Sequence, residues 1–131
     1  MAIGMEGSAM RRLTELPEPE GEPKRNYNVR TSTPWGIAQT ATYVTPGIVR
    51  YSTASHGGYH ISAGLLREMP EYMQTADVYA NGREGWFEED AAWSLVVLAF
   101  PRFFKLQTRL DALETVRHYY PKVYEEFCKP V

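Results

Sequence analysis

Cysteine is almost absent from this chain of 131 residues, in which Cys128 is the single example. One cysteine excludes an internal disulfide and a zinc site built from several thiolates. Because disulfide-free chains are typical of the cytoplasm, we expect a cytoplasmic protein. No apolar run has the roughly 20 residues of a membrane-spanning helix, and residues 1–10 lack the basic and apolar regions of a secretion signal. We therefore expect no membrane partner.

An excess of basic residues is absent as well. Lys and Arg together number 14 against 16 Asp and Glu, which gives a formal net charge of -2. Proteins that bind nucleic acid through its phosphates carry a basic surface, so this balance disfavours direct nucleic-acid binding. What the chain does contain is 44% hydrophobic and 13% aromatic residues, without an internal repeat. This composition predicts a globular protein with a true core.

Residues 1–30 differ from the rest of the chain. Residues 16–25 contain three prolines, three glutamates and one glycine. They offer too little apolar surface to offset the entropy lost on ordering. We expect residues 1–30 to form an extended arm, held either by its own domain or by a partner. In the first case the anchors are the apolar residues Met10, Leu13 and Leu16. Residues 31–131 are expected to form a single α+β domain.

Two runs rich in β-branched residues predict a β-hairpin over residues 37–44 and 48–53. Thr45-Pro46-Gly47 between them is a turn sequence, because proline presets the first turn angle and glycine accepts a positive φ. Pro34-Trp35-Gly36 predicts a turn before the first strand. Residues 59–61 predict a short third strand, which completes a small antiparallel sheet.

Helical patterns follow the predicted strands. Ser62 is a suitable N-cap for a short helix ahead of Pro70. A second helix is expected over residues 88–100, where acidic residues occupy the first turn. Its apolar face consists of Trp93, Val96, Val97 and Phe100. A third helix is marked by Leu106, Leu110, Leu113 and Val116. The expected fold is α+β: a small antiparallel sheet, formed by a hairpin and a short third strand, packed against two or three helices.

A polar stretch lies between the return strand and the third strand. It contains Ser55, His56, Gly57 and Gly58, and adjacent glycines permit close approach of a ligand or of another backbone segment. One interpretation is a ligand-binding loop whose amide groups form an anion nest. The other is a tight turn with hydroxyl groups bonded to local backbone. We favour the turn, because it explains the same residues without a ligand.

His56 and His60 are the candidate imidazoles for acid–base chemistry, with Glu88, Glu89 or Asp90 as carboxylate partners. If the polar stretch folds against the start of the second helix, an imidazole and a carboxylate can pair. The alternative is structural, with histidines that hold the loop and acids that cap the helix. Because a diglycine separates the two histidines, a helical metal motif is disfavoured, and we expect no metal and no cofactor.

A serine nucleophile has weaker support, because the Gly-x-Ser-x-Gly elbow is absent around Ser52, Ser55 and Ser62. A set of aromatic residues can stack a base or fill a partner's groove, although core packing is their commoner role. The set comprises Trp35, Tyr43, Tyr51, Tyr59, Tyr79 and Trp86. Our candidate interface residues are Trp35, Tyr59 and Trp86.

Four motifs stand in order along the chain: Thr33-Pro34-Trp35-Gly36, then Gly47-Ile48-Val49 with Ser52-Thr53-Ala54-Ser55-His56-Gly57-Gly58, then Gly85-Trp86-Phe87-Glu88-Glu89-Asp90 with Trp93, and Phe100-Pro101. As a set, over roughly residues 33–104, they resemble an uncharacterised domain family found in bacterial plasmid and phage proteins. That family has no assigned reaction. Related sequences often carry a cysteine where this chain has Ala91, so the resemblance implies no thiol chemistry here.

The resemblance implies an accessory protein of a mobile element. Short single-domain proteins of such elements commonly bind a host component, for example to inhibit a defence system such as a CRISPR effector. We therefore expect binding to a host protein or protein complex in the bacterial cytoplasm, which needs no catalytic residues, with homo-oligomer formation as a further option. The alternative is a small enzyme or nucleotide-binding protein that uses His56, His60, Glu89 and Asp90, which must then converge. A third option is an accessory fold in a larger assembly.

Overall fold

The computed structural model of the chain describes residues 2–19, 24–76 and 84–130, with the backbone alone for residues 2–6. The described part confirms the α+β class, with an antiparallel five-stranded sheet whose strands lie in chain order. The strands are β1 (Asn26–Thr33), β2 (Gly36–Thr45), β3 (Ile48–Ser52), β4 (Gly57–Ile61) and β5 (Trp86–Glu88). The helices are α1 (Ala2–Thr14), α2 (Ala63–Glu68), α3 (Glu71–Gln74), α4 (Trp93–Ala99), α5 (Leu106–Tyr119) and α6 (Pro121–Cys128), with a short 3-10 helix at Pro101–Phe103.

The predicted hairpin is confirmed as β2 and β3. Thr45-Pro46-Gly47 makes the reversal, and Gly47 has a φ of 99°, which a residue with a Cβ rarely adopts. A second reversal at Pro34-Trp35-Gly36 joins β1 to β2, with a φ of 119° at Gly36. The predicted third strand is β4, which pairs antiparallel with β3.

The sheet has two strands beyond those predicted, one at each edge. β1 is polar and largely exposed, so its sequence carries no apolar alternation. β5 has three residues, too few for a periodic signal, and it pairs with β4 through Gly58, Tyr59 and His60. Both strands are stabilised by hydrogen-bonded pairing with a neighbouring strand, and their own sequences do not predict them.

The second helix begins later than predicted. Glu88 ends β5, and α4 starts only at Trp93. The Glu88 carboxylate accepts the backbone N–H groups of Asp90, Ala91 and Ala92, which holds the intervening residues as a turn. The acidic run therefore lies before the helix rather than in its first turn. The physical reason is that local capping by Glu88 replaces interaction with the helix dipole.

The two faces of the sheet differ in what covers them. Directly paired residues share a face, so Arg50, Tyr59 and Phe87 face one way and Tyr51, Gly58 and Glu88 the other. Phe87 is buried in the core with residues of the helices, so its side is the inner face. The core behind it is formed by residues of the sheet and of α4 and α5: Ile48, Ile61, Phe87, Leu95, Val96, Val97, Leu113 and Val116. No described helix is both long and apolar enough to cross a membrane.

The expectation of an extended arm differs from the structure over residues 2–14, which form helix α1. Ala9 and Leu13 lie four residues apart on one helix face and are fully buried. This helix packs against α5 and α6. Arg12 strengthens the contact, because its guanidinium lies 4.4 Å from the centre of the Phe127 ring and donates to the Phe127 carbonyl. Binding of this segment by a partner stays a prediction.

A buried arginine fixes the chain that follows α1. Arg109 of α5 has 0% exposure, and its guanidinium donates hydrogen bonds to five backbone carbonyls at 2.8–3.1 Å. The acceptors belong to Leu13, Leu16, Pro17, Pro101 and Phe104. Glu18 adds a contact, since its carboxylate accepts the Leu106 N–H at 3.0 Å. The domain itself therefore holds residues 13–18.

Candidate functional site

The loop between β3 and β4 presents His56 at one end of the sheet. Thr53 closes this loop, because its backbone N–H and its hydroxyl both donate to the His56 carbonyl, at 2.7 and 2.8 Å. The His56 N–H donates in return to the Thr53 hydroxyl at 3.0 Å. The Trp35 ring lies edge-on to the imidazole, with 5.9 Å between ring centres. His56 is thus held by both its backbone and its ring, while Ser55 in the same loop is exposed.

Gly57 and Gly58 do not form the turn or anion nest that the sequence suggested. They are buried residues of β4, paired with Ser52 and Tyr51 of β3, and neither has a positive φ. A Cβ at Gly58 would lie 2.4 Å from the Phe87 carbonyl oxygen and 2.5 Å from the Trp35 ring. Close packing leaves no room for a Cβ at these two positions, which explains the glycines. The turn lies earlier in the chain, at residues 53–56.

Carboxylates approach His56 from the start of the β5–α4 turn. The Glu89 Oε1 atom lies 3.4 Å from His56 Nδ1, and the Glu88 Oε2 atom lies 3.9 Å from His56 Nε2. Arg50 of β3 lies 3.5 Å from the second Glu89 oxygen. Ligand atoms of His56, Glu88 and Asp90 all lie within 4.8 Å of one another. The structure therefore brings together three of the four predicted catalytic candidates, His56, Glu89 and Asp90. We call these residues with Glu88 and Arg50 the acidic cluster.

His60 lies elsewhere, on the outer face of the sheet. Its ring centre is 4.4 Å from that of Trp86, and it forms no ion pair among the described residues. Partial burial lowers the pKa of His60, while a hydrogen bond with the Glu84 backbone acts in the opposite direction. The fourth candidate is therefore not part of the acidic cluster, since it lies four residues further along the chain and its ring packs against Trp86.

On the outer face of the sheet, the described residues place aromatic side chains rather than a helix. Trp86 is at its centre, with the Trp35 ring 5.7 Å away and the Tyr51 ring 5.8 Å away. Tyr27 and Tyr43 form a further pair at 5.5 Å. We call this surface the aromatic face; it comprises Tyr27, Trp35, Ile37, Tyr43, Tyr51, His60 and Trp86. Tyr27, Ile37 and Tyr43 expose 48–49% of their surface.

The predicted interface residues divide between the two faces. Trp35 and Trp86 belong to the aromatic face, whereas Tyr59 lies on the inner face against the Phe104 ring, at 5.8 Å. Burial raises the pKa of the Tyr59 hydroxyl, in keeping with its inward position. Tyr79 lies outside the described residues. The sequence missed Tyr27 and Ile37. The strand register pairs Tyr27 with Ala41, which places it beside Tyr43, and Ile37 lies further along β2, paired with Ser32.

A small pocket of about 240 Å³ opens on the inner side of the acidic cluster. It is lined by Arg50, Gly58, Tyr59, Glu89, Trp93 and Thr108. Glu89 borders both this pocket and His56, so a ligand carried in the pocket would lie beside an imidazole–carboxylate pair. Such a pair can transfer a proton, and the neighbouring oxygens can bind a cation.

These features define an α+β domain with an open antiparallel sheet, an aromatic outer face and an acidic cluster at one end of the sheet. The chain belongs to the family DUF7007, described as a domain of unknown function, whose model matches residues 28–131. No curated protein and no solved structure matches the chain. The predicted resemblance to an uncharacterised domain family is thereby confirmed, and the matched segment runs from β1 through α6. Helix α1 lies outside the match.

Proposed function

We propose that this protein is an accessory protein of a phage or plasmid that acts in the bacterial cytoplasm by binding a host protein. We further propose that its target is a component of a host defence system, such as a CRISPR effector. The observation that carries the binding role is the aromatic face. The mobile-element origin rests on the sequence motifs described above.

The aromatic face has the composition of a binding surface. Tyrosine and tryptophan are the side chains most enriched at the centres of protein interfaces, since they bury large area with few rotatable bonds. Here Tyr27 and Tyr43 are half-exposed on paired strands, and their rings contact each other, so little further ordering is needed on binding. Both tyrosines lie on paired strands of the sheet, which supports a role of the aromatic face in binding.

The β1 edge extends the same surface. β1 is an edge strand of eight residues with one charged residue, Arg30, and it contains no proline. In the part of the chain that the structure describes, no strand pairs with the outer edge of β1, so a partner segment can add to the sheet by main-chain hydrogen bonds. Tyr27 projects from this strand. We therefore propose a partner with an extended segment that pairs with β1 and packs apolar side chains on Tyr27 and Tyr43.

The test is capture of the partner from bacterial lysate, its identification, and measurement of the purified pair by biolayer interferometry. Combined Tyr27→Ala and Tyr43→Ala substitution should weaken binding by about tenfold or more, because truncation of interface tyrosines commonly costs over 1 kcal/mol each. Tyr119→Ala is the matched control, since Tyr119 is 59% exposed but lies on α5. Equal affinity of the double variant, or recovery of the free protein alone, would refute the proposal.

A second candidate is a small enzyme or nucleotide-binding protein. It is supported by the 3.4 Å approach of His56 Nδ1 to Glu89 beside the inner pocket. The experiment is calorimetric titration with ATP and GTP in the presence of Mg²⁺, followed by an assay for hydrolysis. Under this proposal His56→Gln abolishes binding or turnover while His118→Gln, on the exposed surface of α5, does not. The absence of both activities in the unaltered protein rejects it.

A further inference from the structure

We infer that His56, Glu88 and Asp90 form a binding site for a divalent transition-metal ion, with Glu89 orienting the imidazole. This inference is independent of partner binding. One ligand atom from each of the three residues lies within 4.8 Å of the other two. Metal–ligand bonds of about 2.0–2.2 Å place neighbouring ligand atoms closer than this, so binding requires a modest contraction. Asp90 is exposed and can rotate to provide it.

The two ring nitrogens of His56 have different neighbours. Nδ1 faces Glu89 Oε1 at 3.4 Å, and Nε2 faces Glu88 Oε2 at 3.9 Å. A neutral imidazole that donates its Nδ1–H to Glu89 keeps the lone pair on Nε2, on the side of Glu88. Metal-binding histidines commonly show this arrangement, with one nitrogen on the ion and the other donating to a carboxylate. Glu89 is then the residue that selects the tautomer.

The surrounding contacts hold these groups before any ion arrives. Arg50 lies 3.5 Å from Glu89 Oε2, on the side away from His56. The Glu89 N–H donates to the Gly57 carbonyl at 2.9 Å, which continues the β4–β5 pairing by one residue. The Trp35 ring packs edge-on to the imidazole. Glu89 and His56 therefore need little rearrangement, which lowers the entropic cost of binding.

Glu88 is also fixed, by its own turn. Its Oε1 atom accepts the N–H groups of Ala91 and Ala92, and its Oε2 atom accepts the Asp90 N–H at 2.6 Å. A carboxylate oxygen with one hydrogen bond retains a lone pair for a cation. The side chains of His56 and Glu88 are 28% and 20% exposed, so an ion can enter from solvent.

The donor set selects the class of metal. An imidazole nitrogen with carboxylate oxygens suits Zn²⁺ or Mn²⁺, whereas Mg²⁺ and Ca²⁺ prefer oxygen ligands alone. Two carboxylates and a neutral imidazole match the charge of a divalent ion. Three protein ligands leave at least one position for water or for an added ligand. The sequence pointed to no metal because it lacked a helical motif, but these ligands come from a hairpin loop and a strand-to-turn junction.

Calorimetric titration of the chelator-treated full chain with Zn²⁺ and Mn²⁺ tests the inference, with Mg²⁺ and Ca²⁺ for comparison. We expect one saturable site for Zn²⁺ or Mn²⁺ that is lost in His56→Ala and weakened in Asp90→Asn. Glu89→Gln should weaken binding by about 10–100-fold, the effect typical of a residue that orients a ligand. His118→Ala is the matched control and should bind as the unaltered chain does.

A second measurement uses the unaltered protein and does not depend on the folding of a variant. Mn²⁺ broadens the NMR signals of nearby nuclei, so amide signals of residues 55–57 and 88–91 should disappear first. Broadening centred on His118 or Cys128 overturns the inference. The inference is likewise overturned if His56→Ala binds the metal with unchanged affinity. It is also overturned if neither Zn²⁺ nor Mn²⁺ binds with a Kd below about 1 mM. Glu88 is left unaltered in these tests, because its carboxylate also holds the β5–α4 turn.

Discussion

Gly58 lies where β4, β5 and the Trp35 ring pack closely together. A Cβ at this position would lie 2.4 Å from the Phe87 carbonyl oxygen and 2.8 Å from Glu88 Cα, and backbone cannot yield as a flexible side chain can. Gly58→Ala should therefore lower the free energy of unfolding by about 1–3 kcal/mol, the usual cost of overpacking. Urea denaturation followed by tryptophan fluorescence measures this change.

Gly64→Ala provides the matched control for Gly58→Ala. Gly64 is an exposed residue of α2, and the nearest atom to an added Cβ is Ser62 Oγ at 4.0 Å. Since alanine favours the helix over glycine, this substitution should be neutral or should stabilise by up to about 1 kcal/mol. Equal stability of Gly58→Ala and Gly64→Ala would refute the close packing of β4 against β5 and Trp35.

His60 should make stability depend on pH. Burial lowers the pKa of His60 below its ordinary value of 6.5, so the unfolded chain takes up this proton more readily than the folded one. The contribution of His60 to stability is therefore complete above the unfolded pKa and is lost as pH falls from 6.5 through the lower folded value. His60→Gln should flatten this part of the stability profile.

The measurement is the urea midpoint of the unaltered chain and of His60→Gln between about pH 5 and pH 8, a range that spans the histidine pKa. The difference between the two curves isolates His60 from the other groups. His118→Gln, in an exposed position, serves as the comparison. A difference that stays constant across the range would show that His60 is not perturbed by burial.

At the scale of single elements, α5 stabilises its surroundings through Arg109. The guanidinium has 0% exposure, and the structure shows five backbone carbonyls as its hydrogen-bond acceptors. Arg109→Met would remove this donor from all five carbonyls, and the Leu13 and Phe104 hydrogen bonds are buried. Each buried carbonyl left without a donor costs about 1–3 kcal/mol. We expect a loss of about 3 kcal/mol or more in the free energy of unfolding.

Chemical denaturation monitored by circular dichroism checks the effect of Arg109→Met. Arg117→Met is the control on the same helix, because Arg117 is exposed and pairs with Glu114 on the surface. We expect little change from it, since exposed ion pairs contribute weakly. Equal stability of the two variants would mean that the carbonyls around residues 13–17 find other donors.

Two other elements explain where the acidic cluster comes from. The β3–β4 loop fixes His56 through Thr53, and the capped β5–α4 turn fixes Glu88 and the acids after it. Pairing of Gly58 with Glu88 then brings loop and turn to the same end of the sheet. The cluster therefore depends on β5, an element of three residues that no sequence pattern indicated.

For the whole molecule, α1 is part of the fold although it precedes the family match. Leu13 has 0% exposure and lies in the same core as residues of α5 and α6. Leu13→Ala should reduce the free energy of unfolding by about 2–5 kcal/mol, as burial of a leucine in a packed core implies. A chain that starts at residue 28 should lose at least as much, because Arg109 also loses three acceptors.

Thermal unfolding of the full chain, of Leu13→Ala and of the truncated chain tests this prediction. Leu16→Ala is a suitable control, since Leu16 is only partly buried. An unchanged melting temperature in the truncated chain would show that α1 adds nothing to the domain. The same reasoning makes removal of residues 1–30 a poor test of partner binding, and substitutions on the aromatic face are the better one.

The sequence by itself determined the elements whose signals are local. Pro46-Gly47 fixed the β2–β3 hairpin, because a positive φ at Gly47 needs no tertiary contact. The spacing of Leu106, Leu113 and Val116 predicted α5. The α+β class followed from these elements together.

Only the tertiary structure decided the edge strands, the role of the diglycine and the composition of the two surfaces. Strand pairing gives β1 and β5 their stability, and a Trp35 ring from a distant turn makes Gly58 necessary. His56 and the acids at residues 88–90 are separated in sequence, so their proximity depends on the strand order, which local propensity does not contain. The sequence thus identified the candidate catalytic residues. The register of β4 against β5 determines which of them lie close together.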